Sequence, residues 1–220
     1  MLAELLAEPG VEEICELRSR FGFMAFHGGS LEVVTDAIAI DAAEAAGASV
    51  YAIRQPRTLR WHIPSKELDP CQSDAMQAFL EHVDVVVAIH GWGSDGVTAD
   101  PRPSTMYEAA PLRFGRDGQD RPLLLGGRNR DLARSLGARL REALPAYDVV
   151  DDLDEIPSHV RGMHRRNPVN RPRGAGVQLE LPPRVRGLPP FWERERWGRN
   201  CPDTQTLIAT LADEARTCDP

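Results

Sequence analysis

The sequence predicts an α/β fold in which a mostly parallel sheet has helices on both faces. Three observations predict it. Short apolar runs alternate with longer amphipathic segments along the chain. The run at 83–89 is almost entirely valine, alanine and isoleucine, as expected of a central strand buried on both faces. The 220 residues, 42% of them hydrophobic, suffice for one domain with a proper core.

The first half of the chain is predicted to alternate helices with strands. Apolar residues at helical spacing predict a first helix over 2–18. A buried strand at 21–26 ends at a Gly-Gly pair, and a helix rich in Ala, Ile and Glu follows over 31–46, closed by Gly47. The other elements predicted here are a strand at 48–53, a helix at 73–82 and the strand at 83–89.

The second half is predicted to add three strands and two helices to the same domain, 1–220. The strands are expected at 122–125, 147–150 and 177–181, and the helices at 130–144 and 203–216. Residues 94–120 and 157–173, rich in proline, glycine and charge, are predicted to form long loops at the active-site edge. Residues 188–220 are interpreted as a C-terminal extension of the domain.

Composition excludes several classes of function. The formal charge of −7 argues against binding nucleic acid through a basic surface. No apolar run approaches the roughly 20 residues that a membrane helix needs. The acidic start does not resemble a secretory signal, and the four scattered cysteines are expected to be free thiols. These features predict a soluble, cytoplasmic protein and leave its oligomeric state open.

Two histidines directly follow predicted strands. His27 comes after the strand at 21–26, and His90 after the strand at 83–89. Ligands of open α/β sheets bind outside the carboxyl ends of the strands, so these imidazoles are expected to meet at one edge. Glu32 comes five residues after His27, beyond two glycines whose conformational freedom allows a bend back toward the histidine.

Two imidazoles and a carboxylate are a ligand set that zinc accepts, with a fourth position left for water. Such a water loses a proton near neutral pH and becomes a nucleophile. Glu180, in the last predicted strand, is the candidate for moving protons. Spacing alone leaves a simpler interpretation open. A histidine after a strand is often a hydrogen-bonded turn residue, and Glu32 alone would suit the start of a helix.

The segment Phe-His-Gly-Gly-Ser-Leu-Glu at 26–32 resembles the H-G-G-x-I-E motif of the phage-type poly-γ-glutamate hydrolase family. Three further segments resemble that family and occur in its order: the strand ending at His90-Gly91, the turn at 126–129, and 167–171 leading to 176–181. Together these segments extend over most of residues 21–187, which makes the combination far more specific than any single motif.

The resemblance implies a zinc carboxypeptidase-like fold, a three-layer sandwich with a mostly parallel, mixed sheet between helices, and hydrolysis of γ-glutamyl amide bonds. It implies that His27, Glu32 and His90 bind Zn²⁺ and that Glu180 is the general acid/base. One departure concerns the residues after Glu32, where the family usually has Gly-Thr and this chain has Val33-Val34-Thr35. Valine is strongly disfavoured at positive φ, so the loop is expected to differ locally.

Asn170 and Arg171 are candidates for binding the anionic end of the substrate. A guanidinium group binds a carboxylate through two parallel hydrogen bonds. Zinc carboxypeptidases use an Asn-Arg pair in this way, and the assignment to Asn170 and Arg171 is by analogy with them. A solvated arginine in a basic loop is an equally good interpretation of Arg171.

The leading hypothesis is therefore a zinc-dependent amidohydrolase or peptidase that cleaves γ-glutamyl or similar anionic amides, small or polymeric. A second hypothesis keeps the metal and changes the substrate to N-acyl amino acids or aminoacyl esters. A third is a non-catalytic module that binds an acidic ligand on the same fold. The presence of His27, Glu32, His90 and Glu180 favours an enzyme over the module.

Overall fold

A single mixed sheet of seven strands dominates the computed structural model, which describes residues 1–92, 122–188 and 194–218. The strands are β1 (Glu12–Glu16), β2 (Phe21–Gly29), β3 (Ser49–Gln55), β4 (Val85–Gly91), β5 (Leu123–Leu125), β6 (Val149–Val150) and β7 (Gly176–Leu181). The helices in the described ranges are α1 (Leu2–Leu6), α2 (Thr35–Ala46), α3 (Asp74–His82), α4 (Arg130–Ala143) and α5 (Pro202–Cys218).

The strands lie in the order β1-β3-β2-β4-β7-β5-β6. The central strands β3, β2, β4 and β7 run parallel to one another, and β6 runs parallel to β5. Strand β1 joins β3 antiparallel, and β5 joins β7 antiparallel. The predicted mostly parallel, mixed sheet is confirmed.

Helices cover both faces of the sheet, which confirms the predicted three layers. Helices α2, α4 and α5 pack on one face, and α1 and α3 pack on the other. Strand β2 divides its side chains between them, as the twofold periodicity of a strand requires. Phe21, Phe23 and Ala25 enter the first core, whereas Met24 and Phe26 enter the second.

The predicted first helix over 2–18 is wrong. Helix α1 ends at Leu6, and the chain turns through Pro9 and Gly10 before forming strand β1 at the edge of the sheet. Proline cannot continue a helix, and Gly10 has a φ of 80°, which most residues avoid. Beyond this turn the helical spacing of apolar residues does not reflect a helix. Ile14 and Cys15, which continue the spacing, are half-buried residues of an edge strand.

Helix α2 begins four residues later than predicted and strand β2 ends later than predicted, and both differences shape the site edge. Strand β2 continues through His27 to Gly29, with a break in its register against β3 between Ala25 and Gly28. The residues before Thr35 form a turn rather than helix. As predicted, α2 closes at Gly47, which has a φ of 67°.

The segment 188–220 contributes helix α5, which packs on α2 and α4 through Leu207, Leu211 and Ala215. The loop at 157–173 is irregular apart from a 3-10 turn at Pro168–Asn170, whereas the predicted loop at 94–120 lies outside the described residues. The four cysteines form no disulfide in the described structure. Among the described helices, none has the length and apolar character needed to cross a membrane.

Candidate metal centre and acid/base

The candidate site lies at the carboxyl ends of three neighbouring parallel strands. His27 belongs to β2, His90 to β4 and Glu180 to β7. His90 and Glu180 are register partners on adjacent strands, and the rings of His27 and His90 are 5.2 Å apart. The structure therefore brings both histidines and the glutamate to one edge, where ligands of α/β sheets bind.

His27 is fixed at both ring nitrogens. Its Nε2 lies 2.8 Å from the carbonyl oxygen of Ile63, and its Nδ1 lies 2.8 Å from Oε1 of Glu32. A carbonyl oxygen only accepts, so Nε2 carries a hydrogen and a neutral ring has its lone pair on Nδ1. That lone pair faces a carboxylate oxygen, which is favourable only when a cation or a proton lies between them. Metal-binding histidines are typically held in this way.

Glu32 reaches the site because the chain bends back after the double glycine. Its backbone N–H donates to the carbonyl of His27 at 2.8 Å, and Gly91 donates its N–H to Oε2 at 2.9 Å. His90 approaches the same oxygen, with Nδ1 3.4 Å from Oε2. The two carboxylate oxygens therefore face one imidazole nitrogen each.

The charges at Glu32 and His90 are mutually stabilised. Burial favours a raised pKa for Glu32, but the charges of His27 and His90 hold the pKa of this carboxyl well below its usual range. Burial opposes a charge on His90, yet the neighbouring Glu32 carboxylate raises the pKa of the imidazole above its ordinary value. Nε2 of His90 is buried, and no described group accepts a hydrogen bond from it. A carboxylate so stabilised as an anion suits a cation-binding site.

His62 is a site residue that the sequence analysis missed. Ligand atoms of His27, Glu32 and His62 lie within 4.8 Å of one another, and the rings of the two histidines are 4.7 Å apart. Although His62 has an exposed surface, desolvation and the nearby His27 lower its pKa to about 4. It lies in the loop after β3, which is parallel to β2 and ends at the same edge. Seven residues separate His62 from the end of β3, so the strand-end rule that located His27 and His90 does not extend to it.

These donors fit a zinc ion. His27 and Glu32 supply one nitrogen and one oxygen, and either His90 or His62 supplies a second nitrogen. A set of two imidazoles and one carboxylate is that of catalytic zinc, whereas four protein ligands would close the site. The structure thus holds two candidates for the third ligand, one buried at the end of a strand and one on an exposed loop.

Glu180 is buried beside these residues. Burial raises the pKa of its carboxyl, with Glu32 acting in the same direction and His90 opposing. Its Oε1 accepts a hydrogen bond of 2.7 Å from the side-chain amide of Gln178. A carboxyl whose pKa is raised by burial is suited to accepting and returning protons.

The side chains of Asn170 and Arg171 differ in whether their polar atoms already have partners. The amide of Asn170 is occupied: Oδ1 accepts from the backbone N–H of Arg128 at 3.0 Å, and Nδ2 donates to the carbonyls of Gly162 and His164 at 2.6 and 3.0 Å. Asn170 therefore ties two loops together. The side chain of Arg171 is exposed and forms no ion pair with a described residue.

The turn after Glu32 keeps the backbone that its sequence disfavours. Val34 has a φ of 77°, a backbone conformation that valine rarely adopts. Whether the loop differs from that of the family stays a prediction. Thr35 fastens the turn, donating its hydroxyl to the carbonyl of Glu32 at 2.7 Å. Arg186, fully buried, donates from a guanidinium nitrogen to the carbonyl of Val33 at 3.0 Å. These bonds hold Val34 in a strained backbone conformation.

Arg186 also packs against Gly91, whose N–H binds Glu32. A Cβ at Gly91 would lie 2.7 Å from Cζ of Arg186, closer than real side chains approach. The guanidinium therefore occupies the space that the absent side chain leaves. It joins the turn after Glu32 to the end of strand β4.

Comparison with known proteins bears on the family and the fold of this chain. The family model described as poly-gamma-glutamate hydrolase matches residues 4–99 and 113–209. A bacteriophage poly-gamma-glutamate hydrolase structure is similar, with a TM-score of 0.69 and 18% identity over 96% of this chain and 91% of that one. A zinc-free apo structure named YNDL has a TM-score of 0.67 and 16% identity over 93% and 88%. A search of the curated proteins finds no match.

Proposed function

Since this chain belongs to the poly-gamma-glutamate hydrolase family, we propose that it is a zinc-dependent hydrolase that cleaves γ-glutamyl amide bonds of an anionic substrate. The observation that carries the proposal is the convergence of His27 and His90 on the two oxygens of Glu32, with Glu180 on the adjacent strand. These are the groups that hydrolysis at a metal requires, on the sheet edge where substrates bind.

We assign His27, Glu32 and His90 as the zinc ligands. Burial of His90 and its position at the end of a parallel strand support this choice over His62. When bound, zinc supplies a Lewis acid that polarises the amide carbonyl and lowers the pKa of water toward neutrality. His27 is held in the required tautomer by the carbonyl of Ile63.

Glu180 is assigned the proton transfers. As a carboxylate it accepts a proton from the attacking water, and as an acid it delivers that proton to the departing amine nitrogen. Its burial raises the pKa of the carboxyl, which makes the protonated form accessible closer to neutral pH. The carboxyl group of Glu180 can therefore both accept the proton and deliver it.

The loop beside Glu180 supports an anionic substrate. From 156 to 179 the chain has five arginines and two histidines but no Asp or Glu, in a protein of net charge −7. The side chains of Arg165, Arg166, Arg171 and Arg173 are exposed and form no ion pair with a described residue, whereas Arg139 pairs with Glu214 elsewhere. We propose that Arg171 binds a substrate carboxylate and that Asn170 acts by holding the loop in place.

The experiment combines zinc content with hydrolysis of γ-linked glutamate oligomers. We expect about one zinc per chain in the wild type, loss of zinc in His27→Ala, and retention in His82→Ala, a histidine at the end of α3 away from this edge. We expect γ-linked oligomers to be cleaved and α-linked oligomers of equal charge to be resistant. Zinc-loaded protein that binds the γ-linked polymer without cleaving it would favour the non-catalytic module, and cleavage of acylated amino acids alone would favour the deacylase.

The anionic character of the substrate has its own test. Surface guanidinium groups act through screened charge, so added salt should raise KM for the oligomers. Arg171→Gln should raise KM further while changing kcat little, because the clamp binds the substrate without touching the reacting atoms. Equal activity of Arg171→Gln and wild type at low salt would remove Arg171 from the site.

A further inference from the structure

Three polar side chains beside the site are almost completely buried and bonded in series. Asn167, Gln178 and Glu180 are 3%, 5% and 4% exposed. Asn167 donates from Nδ2 to Oε1 of Gln178 at 2.7 Å, and Gln178 donates from Nε2 to Oε1 of Glu180 at 2.7 Å. Side chains of this kind are rarely buried unless each polar atom finds a partner.

The direction of this series is fixed by backbone groups at its other end. The carbonyl of Val160 accepts from Nε2 of Gln178 at 3.2 Å, and a carbonyl can only accept. The backbone N–H of Val169 donates to Oδ1 of Asn167 at 3.3 Å, and an N–H can only donate. Rotating either amide by half a turn would place two donors or two acceptors opposite each other. Each amide therefore has one acceptable orientation, with the NH₂ of Gln178 toward Glu180.

We propose that Gln178 and Asn167 are positioning residues that fix the carboxylate of Glu180 for proton transfer. This inference rests on the proposed role of Glu180 in hydrolysis. Gln178 holds Oε1 by its amide, while Oε2 receives no hydrogen bond from any described residue and is left for the reaction. Asn167 acts one step further away, by holding the amide of Gln178 in the orientation that donates.

The carboxylate of Glu180 must be held in place because the last side-chain torsion of a glutamate has a broad range of angles. Terminal sp³–sp² torsions lack the sharp threefold wells of the rest of the side chain, so an unheld carboxylate samples many angles. A proton carrier must lie within hydrogen-bonding reach of the reacting atom at the right angle. A single short bond to Oε1 removes much of this freedom before the substrate arrives.

The loop is built to approach Gln178 closely. Gly162 has a φ of 65°, and a Cβ there would lie 2.6 Å from Oε1 of Gln178. The carbonyl of Gly162 is in turn held by the side chain of Asn170. The loop that carries the candidate substrate arginines is thus joined to the proton carrier through Gln178.

The test compares Gln178→Met, which keeps the length of the side chain and cannot donate, with Tyr51→Phe. Tyr51→Phe removes a hydroxyl that donates to Glu13 at 2.6 Å on strand β3, away from the carboxyl edge. We expect Gln178→Met to lower kcat about 10- to 100-fold with KM and zinc content unchanged. Tyr51→Phe should lower the melting temperature without changing kcat.

Two further measurements separate positioning from a structural role. In the Glu180→Gln background, Gln178→Met should cause no further loss of kcat, because its effect passes through the carboxylate. If the kcat losses of the two single variants multiply in the double variant, the proposal is overturned. If Gln178→Met does not fold, Asn167→Leu takes its place, since it leaves both donors of Gln178 present and removes what orients them.

The last readout needs no activity. Crystal structures of the zinc-loaded proteins should show one orientation of the Glu180 carboxylate in the wild type, and a rotated or divided orientation in Gln178→Met or Asn167→Leu. An unchanged carboxylate in the variants would overturn the proposal even if kcat fell. If the wild type cleaves no γ-glutamyl bond, the proposed function fails, and this comparison still decides whether Gln178 positions Glu180.

Discussion

His90 and Glu180 lie side by side on neighbouring parallel strands although 90 residues separate them in the chain. The pairing of β4 with β7 sets a buried imidazole level with a buried carboxyl, and Glu32 approaches the imidazole from the loop after β2. The proposed metal ligand His90 and the proposed proton carrier Glu180 are therefore positioned by the backbone of the sheet. Sites carried by strand ends are held more precisely than sites carried by loops.

Changing Glu180 to Gln tests the assignment of the proton carrier. The amide keeps the size of the side chain and cannot shuttle protons, so kcat should fall by about 10²- to 10⁴-fold. Zinc content should remain at about one per chain, because Glu180 is not among the assigned ligands. Steady-state kinetics and metal analysis on the same preparation check both parts. Loss of zinc together with activity would instead make Glu180 a ligand.

The third zinc ligand is decided by comparing His90→Ala with His62→Ala. We expect His90→Ala to lose zinc and His62→Ala to retain it, because His90 is buried beside Glu32 and His62 lies on an exposed loop. Equilibrium competition against a chromogenic chelator measures both affinities. In the wild type, removing zinc should also lower the melting temperature, since a ligand bound only by the folded state stabilises it.

The reverse order of affinities would assign His62 as the ligand. Weakening in both variants would mean that both imidazoles bind, leaving no open position for the substrate. That result would oppose the proposed catalytic role while leaving the metal site intact.

Strand-end reasoning predicted from the sequence that His27 and His90 lie at one edge of the sheet, and its failures have physical causes. His27 and His90 follow strongly apolar runs, so their place at the sheet edge could be read directly. His62 follows β3 by seven residues, after a proline and two arginines, and sequence gives no register for such a loop. Its contact with the site depends on the bond from His27 to Ile63, which only the folded chain reveals.

The errors in secondary structure have a similar origin. Residues 2–18 kept helical spacing across the turn at Pro9 and Gly10, and the periodicity was weighed above the two residues that break a helix. Valine prefers negative φ, but tertiary hydrogen bonds hold Val34 at positive φ, among them the bond from Arg186 to Val33. A residue 152 positions away in the chain cannot be anticipated from the turn itself.

Changing Gly91 to Ala tests whether the buried guanidinium of Arg186 supports the metal site. The new methyl group would press on Cζ of Arg186, and a fully buried side chain has no free space in which to withdraw. The N–H of Gly91 should then shift from Glu32, lowering zinc affinity about 10- to 100-fold. Chelator competition measures the change.

Gly47→Ala is the matched control for Gly91→Ala. Gly47 closes helix α2 at a φ of 67°, and nothing lies within 4 Å of where its Cβ would be. Alanine there should cost about 1 kcal/mol of unfolding free energy through the backbone alone, with zinc affinity unchanged. Equal zinc affinities for the two variants would show that Arg186 and Gly91 do not support Glu32.

Replacing Val34 with glycine tests the strain in the turn after Glu32. A β-branched residue at positive φ costs about 1–3 kcal/mol, which glycine would recover. Glycine also loses the packing of the half-buried valine and adds about 0.5–1 kcal/mol of chain entropy to the unfolded state.

Val85→Gly is the control, because Val85 is half-buried against the same core in an ordinary strand. Urea unfolding of the zinc-free proteins should show Val34→Gly to be the less destabilising change by about 1–3 kcal/mol. Equal losses would mean that the turn stores no strain.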